Sequence, residues 1–246
     1  VLPSAIDGKL ISPSQQTRNS VLALSVANAE TGVIQECEEI IRSVNPSRIF
    51  LDATASGIRV QGINNYSTAI FDSRSWYGPS ELGLLVIKDK SLWSNPLPHL
   101  NAAHPNFEAS LPLLLASAVA IENFSSEVEE ANMRARKFNS QLRDSFDQIP
   151  DVDIAGSLDS SLPHLLSASF LNCNGEELLR GIQGDGFSVD SGSACTADNL
   201  EPSHVLAAMG VLTHGNIRIT IHPDATQSEI DGLISSVKNN VERLRA

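Results

Sequence analysis

Ser20-Val21-Leu22-Ala23-Leu24-Ser25-Val26, then Asn28-Ala29-Glu30-Thr31-Gly32, and finally Arg48-Ile49-Phe50-Leu51-Asp52-Ala53 form the part of the sequence that decides the fold. The first run is short, apolar and partly β-branched, which predicts a buried strand ending in a turn-like cluster. From Val33 to Val44, Ile34, Cys37, Ile40, Ile41 and Val44 recur at helical spacing, and Pro46 stops the helix. The third run predicts a second buried strand that closes on Asp52. Strand, helix, strand in that order predicts a β-α-β crossover with parallel strands. Ligands of open α/β sheets bind beyond the carboxyl ends of the strands, which is where Asn28 to Glu30 and Asp52 fall. At this point a turn or helix-cap role for Asp52 stands level with a ligand role.

Outward from this core, composition bounds the rest. A chain of 246 residues with 41% hydrophobic content can bury one large α/β domain or two smaller ones. The three cysteines, Cys37, Cys173 and Cys195, are odd in number and far apart, which suits neither a disulfide framework nor a zinc site and points to a reducing cytoplasm. The net charge of -12 works against general attraction to nucleic acid, which needs clustered Lys and Arg. His99, His104, His164 and His222 show no metal-ligand spacing, so no metal site is expected. The start, Val1-Leu2-Pro3-Ser4-Ala5-Ile6-Asp7, lacks the basic opening and apolar core of a signal peptide, and no apolar run reads as long enough to span a bilayer; a soluble protein away from membranes is expected.

Downstream, Ala69-Ile70-Phe71, then Asp72-Ser73-Arg74-Ser75-Trp76-Tyr77-Gly78-Pro79, then Leu82-Gly83-Leu84-Leu85-Val86-Ile87 predict strand, Gly-Pro turn, strand. Ser91 to Pro112 reads as an irregular connection. Leu113 to about Ile149 reads as a long helix, with a break expected near Ser125-Ser126. Strands are expected at Val152 to Ala155, His164 to Phe170, Gly186 to Asp190 and Ile217 to Ile221. Helices are expected at Gly175 to Ile182, Glu201 to Met209 and Thr226 to Arg245, with Thr226 and Glu229 spaced for a capping box.

One further stretch carries chemistry. Ser191-Gly192-Ser193-Ala194-Cys195-Thr196 places a cysteine among small, flexible residues just ahead of a helix start. A thiol kept for packing sits among apolar neighbours; Cys195 has a context suited to reaching a reactant.

With Glu201-Pro202-Ser203-His204-Val205-Leu206 and Gly210, this stretch resembles the catalytic-cysteine loop and following helix of the cysteine desulfurases, pyridoxal-phosphate enzymes of the class V aminotransferase superfamily. Ile217-Arg218-Ile219-Thr220 is similar to the family strand whose arginine holds the substrate carboxylate. Ala27-Asn28-Ala29-Glu30-Thr31-Gly32 resembles the family's Asn-Asn-Glu-Thr-Gly segment, and Asp52-Ala53 resembles the Asp-Ala whose carboxylate pairs with the cofactor's ring nitrogen. The resemblance implies an α/β fold: part of a large domain with a mainly parallel sheet over residues 1–122, followed by a small α+β domain over 123–246. It implies Cys195 as the nucleophile that carries a persulfide, Arg218 as substrate ligand, and Asp52 with Asn28 as residual cofactor ligands. It also implies a homodimer and a sulfur-acceptor protein as partner.

The same alignment of motifs exposes departures. Family members carry Ser-x-His-Lys ahead of the Gly-Pro turn, and that lysine forms the Schiff base with pyridoxal phosphate; here Arg74 and Ser75 stand in the places of the histidine and lysine. A serine hydroxyl forms no imine. Lys88 and Lys90 lie beyond the next strand. Ala29 and Ala55 replace an Asn and a Gln, and the chain begins about midway through the family's large domain. The expectation is a desulfurase-like sulfur-transfer protein impaired in pyridoxal-phosphate chemistry; the alternative is a non-catalytic scaffold or partner subunit of the same fold.

Overall fold

The computed structural model describes residues 2–13, 16, 19–94, 110–191 and 203–246. These fall into two compact units that interleave in sequence, one formed by Pro13–Val26 and Cys37–Val128, the other by Val1–Ser12, Ala27–Glu36 and Glu129–Ala246. The division is therefore not the single cut at residue 122 that the sequence suggests. Residues 27–36, between the first strand and the first helix, group with the C-terminal part of the chain.

The first unit is built on a four-stranded sheet in the order β1-β2-β3-β4, with β1 Val21–Ser25, β2 Arg48–Asp52, β3 Thr68–Asp72 and β4 Gly83–Ile87. β1 pairs parallel with β2 and β2 with β3, while β4 returns antiparallel to β3. Strand, helix and strand thus give the parallel crossover that the sequence predicts. β1 differs from expectation in one respect: it alternates, burying Leu22 and Leu24 and leaving Val21 in solvent, because successive side chains point to opposite faces and only one face is covered.

Helix α1 spans Cys37–Val44, not Val33 to Val44. Its buried side, Cys37, Ile40, Ile41 and Val44, follows the expected helical spacing; Glu38 and Glu39 sit in the first turn and Arg42 in the last, each matching the helix dipole. Asn45 adopts a φ of 50° and ends the helix before Pro46. Val33 and Ile34 instead make single β-bridges to Ser161 and Ala27, and the Gln35 side chain donates to the Gly8 carbonyl at 3.0 Å and accepts from Leu10 N at 2.7 Å. These long-range bonds, all within the second unit, outweigh local helical preference.

Helix α2, Leu111–Phe146, runs 36 residues without the expected break. Ser125 and Ser126 donate their hydroxyls back to the Ile121 and Asn123 carbonyls at 2.6 and 2.7 Å, as added donors to carbonyls within the helix, and the helix continues through them. Pro112 lies in the first turn, where its missing N–H is harmless. By length and composition α2 is apolar enough to cross a membrane, which corrects the expectation that no stretch is. Residues 111–128 nevertheless include Glu122 and Glu127, and Phe124 and Val128 are buried.

The second unit holds a three-stranded antiparallel sheet, β5 Val152–Ile154, β6 Leu165–Phe170 and β7 Asn216–Thr220, in that order. Helices α3 Gly175–Gly184, α4 His204–Met209 and α5 Gln227–Arg245 complete it. Its core gathers Phe138, Leu142 and Phe146 from α2, Leu166 and Phe170 from β6, Leu178 and Ile182 from α3, and Val237 and Val241 from α5. Each such fully buried side chain contributes about 1.5–3 kcal/mol. Both halves of the capping box form at α5, between Thr226 and Glu229. Gly186 to Asp190 forms no strand; only Asp190 pairs, in a single antiparallel bridge with Arg218.

Candidate functional site

In the first unit, Asp52 ends β2 and stands half-buried at its carboxyl end. Its Oδ1 accepts from the Thr54 N–H at 3.0 Å and from the Thr54 hydroxyl at 2.6 Å. The turn role and the position beyond the strand end coexist: Thr54 engages Oδ1 and leaves Oδ2 as the second acceptor. The segment turns at once, with Gly57 N bonded to the Ala53 carbonyl at 2.8 Å and Gly57 at a φ of 52°.

Ser75 lies in a single 3-10 turn, Ser73–Trp76, that follows β3. Asp72 caps this turn, accepting from Arg74 N at 2.9 Å, and its carboxylate also takes the Arg74 guanidinium through Nε and Nη2. That bonding holds the Asp72 carboxyl below the usual carboxylate range and raises Arg74. The Ser75 hydroxyl donates to the Asp72 carbonyl at 2.7 Å. Its side chain rests directly on Gly57, where an added Cβ would come within 2.3 Å of Ser75 Oγ. Glycine is required at position 57 by this close approach as well as by its positive φ.

Sequence reading overlooked Arg59 in the same unit. It is buried, donates from Nη2 to the Tyr77 hydroxyl at 2.5 Å, and lies 4.7 Å from the centre of the Phe124 ring. Burial pushes its pKa down. The aromatic neighbours come from distant parts of the chain, so no local signal marks the pairing.

Do these residues fit covalently bound pyridoxal phosphate? The turn offers a hydroxyl where an amine is needed, and that hydroxyl already closes on its own backbone. Lys88 follows β4, at the end opposite the Asp72–Gly83 pair; five residue steps at roughly 3.3 Å each put it about 16 Å along the strand, beyond side-chain reach. Its ammonium donates to the Asn64 carbonyl and sits over the Tyr66 ring. Among the described residues, this turn offers no amine for a Schiff base, and Asp52 presents a second carboxylate oxygen at the end of β2.

The second unit brings Asn28, Ala29, Asp190 and Arg218 together. Asn28 organises its turn through Oδ1, which accepts from Glu30 N and Thr31 N, both at 2.9 Å, and from the Thr31 hydroxyl at 3.2 Å. On the pleat of β7, Arg218 donates from Nη1 to the Ala29 carbonyl at 3.1 Å and from Nη2 to the Asp190 carboxylate. The backbones of Asp190 and Arg218 exchange both bonds, at 2.9 and 2.7 Å. Ser191, the first residue of the cysteine stretch, is buried and donates its N–H to Asp190 Oδ1 at 2.8 Å. Cys195 lies outside the described residues, as do Glu201 and Pro202. Cys37 and Cys173 are buried in the two cores. Asp190 was missed by sequence reading because its pairing with Arg218 is non-local and leaves no periodic pattern.

Residues 6–233 match the family model described as Aminotransferase class-V. The chain is 30% identical over 252 residues to the cysteine desulfurase IscS of Vesicomyosocius okutanii, covering 98% of this chain and 62% of that protein. It is also 30% identical over 247 residues to the cysteine desulfurase of a Nostoc species, covering 92% and 60% respectively. The chain therefore spans about three fifths of the length of these curated relatives. Among solved structures, a NifS-like protein superposes with a TM-score of 0.81 at 25% identity, covering 99% of this chain and 67% of that one. A NifS-like protein from Rickettsia africae superposes with a TM-score of 0.80 at 18% identity, covering 98% and 69%, which bears on the fold alone.

Proposed function

The chain belongs to the aminotransferase class-V family, whose cofactor is pyridoxal phosphate, and on that premise we propose that it is a sulfur-transfer protein of the cysteine desulfurase type in which Cys195 carries sulfur as a persulfide. The observation that carries this reading is the Ser75 turn: a hydroxyl closed on the Asp72 carbonyl and seated on Gly57 takes the place of the imine-forming lysine. Extraction of sulfur from cysteine through a covalently held cofactor is then lost, while acceptance of sulfur already in persulfide form needs only a thiolate.

The step balances without an added oxidant. The Cys195 thiolate attacks the terminal sulfur of a donor persulfide, the donor's S–S bond breaks, the donor leaves as its thiolate, and the new S–S bond rests on Cys195. Delivery to an acceptor protein repeats the exchange in the forward direction. Arg218 is the carboxylate-binding residue of the same reading, suited to it by the planar fork of its guanidinium. Asp52 and Asn28 remain as cofactor-side residues without the lysine they served. Cytoplasmic location and homodimeric assembly complete the proposal.

Incubation of the purified chain with glutathione persulfide, without pyridoxal phosphate, followed by mass spectrometry of the Cys195 peptide, tests it. A mass increase of one sulfur atom, absent in Cys195→Ser, is expected. Equal loading of the Cys195→Ser protein, or no loading of the unaltered one, refutes the role of Cys195.

A further inference from the structure

Arg218 already holds a carboxylate. Its Nη2 donates to Asp190, and Nη2 is common to both bidentate faces of a guanidinium, the Nη1/Nη2 face and the Nε/Nη2 face. Nη1 donates in turn to the Ala29 carbonyl, so one N–H on each terminal nitrogen is engaged. The acid does not reach this position by chance rotation of a long side chain: Asp190 is fixed opposite Arg218 by two backbone hydrogen bonds, and its second oxygen is fixed by the Ser191 N–H. A short side chain on a paired backbone loses little freedom by staying there, so its effective concentration at the guanidinium is high.

We propose that Asp190 is an in-chain competitor for the carboxylate of an α-amino acid at Arg218, and that it sets a low affinity at this position. The proposal rests on the reading of Arg218 as a carboxylate-binding residue. An incoming carboxylate must share Nη2 with Asp190 or displace it, and while Asp190 stays in place the two like charges repel. Only the fraction of molecules with Asp190 turned away binds at full strength, which lowers the apparent affinity by that fraction. Asp190 is thus a specificity-determining residue: it disfavours small free amino acids and leaves a ligand with further contacts at an advantage.

The test is titration of the purified chain with L-alanine, followed through the arginine side-chain signals in 1H–15N NMR spectra. Asp190→Asn keeps size and removes charge; Asp190→Ser serves if the first variant alters the circular dichroism. Both are expected to bind L-alanine roughly fivefold more tightly than the unaltered chain, the factor that like-charge repulsion at about 4 Å in water represents. Unchanged or weaker binding in both variants overturns the proposal. Arg218→Ala separates it from its premise: loss of binding in every background keeps the carboxylate reading whatever Asp190 does. Binding that survives Arg218→Ala, or no binding to any of the proteins, overturns both.

Discussion

The turn that carries Ser75 and the strand that carries Arg218 satisfy their polar side chains in different ways. Ser75 closes on the carbonyl three residues before it, a bond that any 3-10 turn offers locally. Arg218 reaches the Ala29 carbonyl and the Asp190 carboxylate, partners 189 and 28 residues away, so its environment exists only in the folded unit. A locally satisfied hydroxyl needs nothing else to be stable there. A guanidinium held by distant groups is a charge placed by the fold, and the carboxylate-binding role we propose for Arg218 would exchange one of those groups for a ligand.

The largest expected effect breaks the frame that places Arg218. Phe170→Ala removes a fully buried ring from β6, which pairs directly with β7, and should cost about 3–5 kcal/mol in denaturant unfolding followed by circular dichroism. Trp76 and Trp93, the two tryptophans of the chain, both lie in the other unit, so their fluorescence reports separately on the Ser75 side. Next, Gly57→Ala forces a Cβ against Ser75 and an unfavourable φ, and should destabilise the chain by roughly 1–3 kcal/mol. Adding Ser75→Gly removes both clashing atoms and should recover part of that loss; no recovery would mean that the Ser75 contact is not what requires glycine.

Much of this frame is legible in the sequence, and the failures have physical causes. Continuous apolar runs mark β1 and β2, and Ile40, Ile41 and Val44 mark α1 because one-sided burial of a helix leaves a periodic trace. Val33 and Ile34 misled as helix because their β-bridges to Ser161 and Ala27 are tertiary. Gly186 to Asp190 misled as a strand because a single bridge, at Asp190, is all the pairing it obtains. Ser75 was legible from its place ahead of the Gly-Pro turn, whereas Gly57 beneath it and Asp190 beside Arg218 depend on contacts that no local pattern encodes.

Smaller effects sharpen the comparison. Thr226→Ala opens the capping box of α5 in the Arg218 unit and should cost about 1 kcal/mol. Glu229 is held below the usual carboxylate range by the Thr226 N–H, so the box is intact above the unfolded glutamate value and weakens as pH falls through the lowered folded value. In the Ser75 unit, Asp72 is lowered by its bonds to Arg74, and the same sign applies: its contribution is complete above the unfolded aspartate value and is lost as pH falls through the folded one. Because Arg74 itself stands largely in solvent, Arg74→Met should change stability by only a few tenths of a kcal/mol and flatten that acid-side dependence, read from melting curves across pH.

We propose that the Ser75 turn holds no covalent cofactor. Purified chain mixed with pyridoxal phosphate, reduced with borohydride and analysed by peptide mass spectrometry tests it directly. No reduced pyridoxyl adduct is expected on peptides of the first unit, and no protein-imine absorption band before reduction. An imine band that borohydride abolishes, with a stoichiometric adduct on Lys88 or Lys90, would contradict it.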